Sequence, residues 1–313
     1  MDNFYQLLPM DEEEFNGRAV TTHSNYCYNW RLDFNLRKFI KMDQFYTNDD
    51  CAERCFNIFK EHVNIEEYDF IMEPSAGRGS FFKLLPEKRI GIDIDPQYEG
   101  IIKKDFLTYS PMKGKKYAII GNPPFGRVSS LAVKFFNKSA EFADVIAFIL
   151  PRTFKRISIQ NRLNLNFHLL YTEDIPIGSF TPKMSAKCVF QIWKREIVNR
   201  VLVIYDSFHL DFTFLRLGHK DKKGQPTPPD GADFVIKAYG SNCGQIVDKD
   251  LKKLCPKSWH WIKSNIEIEE LKRRFRNLDY SMSSDTARQD SIGQKELIYL
   301  YKNRYKIIKN EFL

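Results

Sequence analysis

None of the six cysteines in this 313-residue chain, at positions 27, 51, 55, 188, 243 and 255, forms a Cys-x-x-Cys pair, and no histidine cluster accompanies them. That excludes a zinc-finger arrangement and a disulfide framework, so no metal is expected and a reducing compartment is. Cys51 and Cys55 stand one helical turn apart, a spacing expected of core packing. No run of about 18 apolar residues is present, which excludes a membrane-spanning helix. The opening MDNFYQLLPMDEEEF lacks the basic start and apolar stretch of a secretory signal. A soluble, intracellular protein is expected. Internal repeats are absent too, which excludes a solenoid.

What is present points to a folded chain with a mild cationic excess. Hydrophobic residues make up 43% and charged residues 28%, a globular rather than a disordered balance. The net charge of +8 fits a nucleic-acid partner, because cationic side chains displace counterions condensed on phosphates. Phenylalanine and tyrosine are abundant, 26 and 15 residues, and a core can absorb them all.

Residues 1–42 run from an acidic DEEE to an aromatic, basic YCYNWRLDFNLRKF and are expected to be an extension of the main domain. From about 48, NDDCAERCFNIFKEHV carries an Asn/Asp cap and apolar residues at helical spacing. Strands and helices then alternate. YDFIMEP, RIGIDID, GIIKKDF, KYAIIGN, DVIAFILP, FHLLYTEDI and KCVFQIWKR read as seven strands, with a helix expected over GRGSFFKLL and another over VSSLAVKFFNKSAEFA. Continuous apolar strands between helices predict an α/β fold: a Rossmann-like, mostly parallel seven-stranded sheet with helices on both faces. After about 198 the character changes to a smaller α+β part, with a polar loop at 218–231, two strands in ADFVIKAYGSNCGQIV and a charged helix in IEIEELKRRFRNL. The expected division is therefore 1–42, 43–198 and 199–313.

Ligands of open parallel sheets sit at the carboxyl ends of the strands, where strand order reverses. Four successive strand ends carry unusual residues. In EPSAGRGSF (73–81), Gly77 and Gly79 allow a tight turn, while Glu73 would repel a pyrophosphate and welcome an ammonium or sulfonium. In GIDIDP (91–96), Asp93 is placed to accept ribose hydroxyls, and Asp95 is expected only to start the next turn. In KKDF (103–106), Asp105 would accept an exocyclic amine beside Phe106. In GNPPFG (121–126), Pro123 and Pro124 stiffen the backbone after Asn122. The Asn122 side-chain oxygen and the Pro123 carbonyl would converge on an amino group with two N–H bonds, with Phe125 offering a flat surface to its ring.

In this order and spacing the four motifs resemble those of the class I S-adenosylmethionine-dependent methyltransferases, and in particular the amino-methyltransferases that modify N6 of adenine through Asn-Pro-Pro-Phe/Tyr. The resemblance covers roughly 43–198, and DQFYT (43–47) is similar to the segment such enzymes place before the glycine loop. It implies S-adenosylmethionine as cofactor. Phe45, Thr47, Glu73, Ala76, Gly77 and Gly79 would hold its methionine end, Asp93 its ribose, and Asp105 with Phe106 its adenine. Asn122, Pro123, Pro124 and Phe125 would form the catalytic corner, and Phe180 is a candidate for the base's other face. Ser80 departs from the small apolar residue usual after the glycines. The implied activity is methyl transfer to adenine N6 in nucleic acid, DNA ahead of RNA, with 199–313 recognising the target. Protein glutamine methyltransferases also use Asn-Pro-Pro, usually with Tyr where this chain has Phe125. The basic Arg152, Lys155 and Arg156, and the cluster KRRFR (272–276), are candidate phosphate contacts or solvated faces.

Overall fold

The computed structural model describes residues 45–305, so the expected extension over 1–42 and the start of DQFYT lie outside the described residues. Strand β1 (Tyr46–Thr47) precedes helix α1 (Asp49–His62). Strands β2 (Phe70–Glu73), β3 (Arg89–Asp93), β4 (Ile102–Lys103) and β5 (Tyr117–Gly121) follow. Helix α2 (Ser130–Ser139), strand β6 (Ala143–Pro151) and the short helix α3 (Ile157–Gln160) come next, then β7 (Phe167–Ile175), β8 (Phe180–Thr181) and β9 (Cys188–Arg195).

Seven of these strands form one sheet in the order β4-β3-β2-β5-β6-β9-β7. All neighbours from β4 to β6 are parallel, and β9 runs antiparallel between β6 and β7. This is the expected Rossmann-like, mostly parallel sheet, and its order reverses between β2 and β5. The apolar runs are continuous because both faces are covered. On one side Phe56 and Phe59 of α1 pack over Ile71, Ala118, Ile120, Val145 and Ala147. On the other, Phe135 and Phe136 of α2 pack over Met72, Ile119, Ile146 and Phe148. Each such ring removed from water stabilises the fold by about 1.5–3 kcal/mol. Cys51 and Cys55 lie in the α1 core, as their spacing predicts.

One expected helix is missing. After the glycine loop the chain makes only a single turn of 3-10 helix at Phe82–Leu84. Pro86 lies two residues beyond it and β3 must start at Arg89, so there is no length in which a longer helix could form.

Beyond β9, strands β10 (Phe212–Phe214), β11 (Phe234–Lys237), β12 (Ile246–Val247) and β13 (Trp259–Ser264) make an antiparallel sheet in the order β10-β13-β11-β12. Helices α4 (Ile268–Arg276) and α5 (Gln294–Arg304) bury Leu271, Phe275, Leu297 and Tyr301 against it. The expected hairpin, polar loop and charged helix are all there.

Candidate active site

A cavity of about 330 Å³ opens at the carboxyl ends of β2, β3 and β5, where the sheet order reverses. Its walls include Phe45, Thr47, Glu73, Ala76, Gly77, Asp93, Asp105, Phe106, Asn122, Pro123, Pro124 and Phe125. Every expected site residue is thus on one cavity except Gly79, which sits in the turn behind it against the Tyr98 ring. Three further walls, Leu107, Leu131 and Phe135, lie outside every motif singled out in the sequence.

The Asn-Pro-Pro corner is pinned at both ends. The Asn122 carbonyl accepts from Ser75 Oγ at 3.0 Å, which ties it to the glycine loop. The Phe125 carbonyl accepts from the N–H groups of Leu131 and Ala132 at 3.1 and 3.2 Å, in the first turn of α2. Between these pins the prolines fix the backbone, and the Pro123 carbonyl has no hydrogen-bond partner among the described residues.

The side chain of Asn122 is oriented by β1. Its Nδ2 donates to the Phe45 carbonyl and to Thr47 Oγ1, both at 3.1 Å. A carbonyl can only accept, so the amide nitrogen must face Phe45 and Oδ1 is left to accept elsewhere. β1 is held in turn by pairing with β8, Tyr46 opposite Thr181 and Thr47 opposite Phe180, and by Ser80 Oγ donating to the Thr47 carbonyl at 2.7 Å. Phe45 and Thr47 therefore aim Asn122, a role the sequence does not show. Phe180 is only 5% exposed and lies in the α1 core, so it is a packing residue and offers no face to a base.

Glu73, at the end of β2, is 3% exposed. Its Oε2 is buried without a partner among the described residues. Burial lifts its carboxyl well above the usual carboxylate range; the Phe82 backbone N–H pulls it down and the charge of Asp93 adds to the rise. Gly121, opposite, leaves room for it: an added Cβ would stand 3.2 Å from Glu73 Cγ. A buried carboxylate oxygen with no donor is the feature expected of a cation site.

Asp93 closes the far wall. Its Oδ2 accepts from Gly77 N–H and its Oδ1 from Asp95 N–H, both at 2.8 Å, which fixes the carboxylate and leaves further lone pairs toward the cavity. The Gly77 N–H is thereby engaged and is not offered to a ligand. Gly77 has φ +45, and a Cβ there would meet the Tyr46 ring at 2.9 Å, so only glycine lets β1 lie this close to the loop. Asp105 Oδ1 accepts from Leu107 N–H at 2.9 Å and Oδ2 is free among the described residues. The Phe106 ring is 1% exposed and packs against Phe135, with centroids 5.3 Å apart. Exposed Ile94 adds an apolar wall beside Asp93.

The cationic candidates behave differently from the phosphate reading. Arg156 makes a two-pronged contact with Glu296 at 3.0 and 3.1 Å and donates to the carbonyls of Asp285 and Ser291. Arg152 pairs with Asp285 and Asp174, and Lys155 with Asp174. In KRRFR, Lys272 binds Asp248 and Glu269, Arg273 binds Glu270, Arg274 binds Glu270 and Asp211, and Phe275 is in the core. Arg152 and Arg156 thus bind acids of the second part, Lys155 pairs with β7 of the first sheet, and Lys272, Arg273 and Arg274 pair within the second part. Among the described residues no three His, Cys, Asp or Glu side chains gather as a metal site, and no helix is long and apolar enough to cross a membrane.

No protein family and no curated protein matches this chain. Several solved structures resemble part of it. PH1948 from Pyrococcus horikoshii, which carries a provisional description as an RNA methyltransferase, is 17% identical with a TM-score of 0.40, over 50% of this chain and 90% of that one. The 23S rRNA methyltransferase ErmE is 17% identical with a TM-score of 0.38, over 50% and 70%. A chain of a type I R-M system is 14% identical with a TM-score of 0.38, over 49% and 42%.

Proposed function

We propose that the chain is an S-adenosylmethionine-dependent methyltransferase acting on the exocyclic N6 of adenine in a polynucleotide, DNA ahead of RNA. One observation carries the reading. A rigid acceptor, Asn122 Oδ1, faces a cavity that also holds a buried, partnerless carboxylate oxygen at Glu73 and a fixed carboxylate at Asp93.

Those residues fit the cofactor. Glu73 Oε2 would take its ammonium, Asp93 its ribose hydroxyls and Asp105 Oδ2 its adenine amine, with Ile94 and Leu107 as apolar walls. When bound, S-adenosylmethionine supplies an electrophilic methyl on a sulfonium.

The chain's own residues do the rest. Asn122 Oδ1 and the Pro123 carbonyl accept the two protons of the target amine. The nitrogen lone pair, otherwise delocalised into the ring, is then free to point away from both acceptors. Their partial negative charge is in place before positive charge develops on nitrogen, so no reorganisation is needed at the transition state. Phe125 holds the ring plane and sets the line of approach. The proton leaves the nitrogen after transfer. A base inside a duplex cannot enter such a cavity, so the target must be turned out of the stack or single-stranded.

The test uses radiolabelled S-adenosylmethionine with duplex DNA, single-stranded DNA, structured RNA and protein extract, followed by digestion to nucleosides. Label in N6-methyladenine is the expected result, and label in protein alone would overturn it. Asn122→Ala should lower turnover at least 100-fold, the loss typical of one preorganised polar contact, with cofactor affinity within about twofold of the parent. Near-normal turnover in that variant would remove Asn122 from the mechanism.

A further inference from the structure

A second opening, a groove of about 650 Å³, lies in the part of the chain beyond β9, and no residue lines both it and the cavity. Its walls come from the chain through β10 (207–217), from the turn that leads into β13 (256–261) and from Gln294, the first residue of α5. Glu296, two residues along the same helix, is the acid that holds Arg156 just past the carboxyl end of β6. The helix that carries Gln294 is thereby fastened to the end of the sheet where the cavity opens. The most buried residues of the groove are held rigid. Phe212 and Trp261 are each 2% exposed, and Trp261 Nε1 donates to the Pro256 carbonyl at 3.0 Å. His209 stacks on Phe212 with centroids 5.3 Å apart, and its Nδ1 accepts from the Asp211 N–H at 3.1 Å. A nitrogen that accepts carries no proton, and burial holds the imidazole below its ordinary value, so His209 is a neutral wall.

Phe208 is the ring that the fold leaves open. It is 70% exposed and belongs to none of the packed apolar clusters. Trp259, by contrast, already holds the Lys237 ammonium over its ring, 4.5 Å from the centroid. The charge of the groove is one-sided. Among the described residues no aspartate or glutamate lines it, whereas Arg216 and Lys257 do, and both are exposed. Arg216 has no hydrogen bond or ion pair among the described residues, and Lys257 Nζ donates to the neutral Gln225 Oε1 at 3.0 Å, so neither charge is cancelled. On α4 and α5, Lys272, Arg273, Arg274 and Lys302 are all matched by acids. Over 199–313, Lys and Arg number 21 against 15 Asp and Glu, so most of the net +8 lies in this part and favours an anionic partner. An open ring beside uncancelled cations is the combination that single-stranded nucleic acid engages, with a base on the ring and its phosphates on the charges.

From this we infer that the groove is a polynucleotide-binding site separate from the cavity, in which a single-stranded stretch of the substrate stacks a base on Phe208 and sets its phosphates against Arg216 and Lys257. This assignment rests on the proposed polynucleotide substrate and adds where the strand is held away from the reacting adenine. Every base has a flat face, so a platform of this kind supplies affinity and no choice of sequence.

The test measures affinity by fluorescence anisotropy, with fluorescein-labelled single-stranded DNA, RNA and duplex DNA of one adenine-containing sequence, over sodium chloride from about 50 to 200 mM. Phe208→Ala should bind single strands about five- to 150-fold more weakly than the parent, the loss typical of one stacked base, with an unchanged salt dependence. Arg216→Gln should lower the slope of log affinity against log salt by about 0.7, so its affinity falls about 2.6-fold less than the parent's across that range. Duplex DNA, whose bases already stack on one another, should lose less in Phe208→Ala than either single strand. The larger loss of the two single strands tells DNA from RNA. A control, Met112→Ala with Lys113→Gln, removes one exposed apolar side chain and one exposed cation from the loop before β5, which lines neither opening, and should match the parent. All four proteins should melt alike and bind S-adenosylmethionine alike, since every side chain replaced is exposed. A parent that binds and methylates a polynucleotide while Phe208→Ala keeps parental affinity for both single strands overturns this inference alone. If that variant instead lost self-association in sedimentation, the groove would belong to a second copy of the chain. A parent that neither binds nor methylates any of the three overturns the proposed function, and the groove's assigned ligand with it.

Discussion

At the scale of single residues, the sequence shows which side chains are unusual but not what aims them. Glu73 and Asp93 are legible because each ends a strand, Asn122 because it follows one directly, and Asp105 because it comes two residues after β4. That Phe45 and Thr47 orient the Asn122 amide is not legible, since they lie 77 and 75 residues away. Nor is the burial of Glu73 beneath Gly121, because a glycine's absent side chain has meaning only against a neighbour. Glu73 yields a pH prediction. Its carboxyl titrates above the ordinary value of about 4.3, so the folded protein holds more protons than the unfolded chain above that pH. Stability without cofactor should therefore fall as pH rises from about 4.3 toward the raised value, and Glu73→Gln should remove that fall. The same site binds a cation best when ionised, so cofactor affinity should rise over that range in the parent and stay flat, and at least tenfold weaker, in Glu73→Gln. Calorimetric titrations in buffers of different ionisation heat read both the affinity and the proton released. Equal pH profiles in the two proteins would refute the role given to Glu73.

At the scale of elements, strands were easier to read than helices or charges. Strands β2, β5 and β6 are continuous apolar runs because each is covered on both faces, and a pattern of that kind survives in one dimension. The expected helix after the glycine loop failed because its composition suited a helix while Pro86 and the start of β3 left no room for one. The basic residues misled for another reason. Arg156 meets Glu296 across 140 residues of sequence, and a lone cationic cluster gives no hint of such a partner. Both members of that pair are largely buried, with side chains 13% and 9% exposed. Arg156→Ala would leave the Glu296 carboxylate in the interior without its counterion, which costs about 3–5 kcal/mol. Arg156→Lys should recover little, because an ammonium cannot reach both oxygens of Glu296 and the carbonyls of Asp285 and Ser291 as the guanidinium fork does. Urea unfolding of the two variants measures this. A loss below about 1 kcal/mol in Arg156→Ala would mean the pair adds nothing to docking.

At the scale of the whole molecule, the proposed division at 198/199 has a physical consequence. The seven-stranded sheet ends with β9 at Arg195, but the chain remains fastened to it further on. Arg200 Nη2 donates to the Gln160 carbonyl at 3.0 Å, Arg200 N–H to the Leu165 carbonyl at 2.8 Å, and Asn161 Nδ2 to the Val203 carbonyl at 2.8 Å. Beyond that, Arg152, Arg156 and Lys187 all find acids in the second part, at Asp285, Glu296 and Asp290. A fragment 43–198 keeps the entire cavity and loses all of these contacts. It should fold, since both faces of its central strands are covered from within, but it leaves Arg152, Arg156 and Lys187 open to solvent and without the acids of the second part that pair them in the full chain. Its melting temperature should lie below that of the full chain, by about 2–4 °C for each kcal/mol that the lost contacts supply. A fragment 43–204 regains Arg200 and Val203 and should melt between the two. Circular dichroism melts of the three proteins decide the matter. If 43–198 melted with the full chain, the ion pairs across the divide would be surface contacts of no consequence, and the second part would be a module merely tethered to the first.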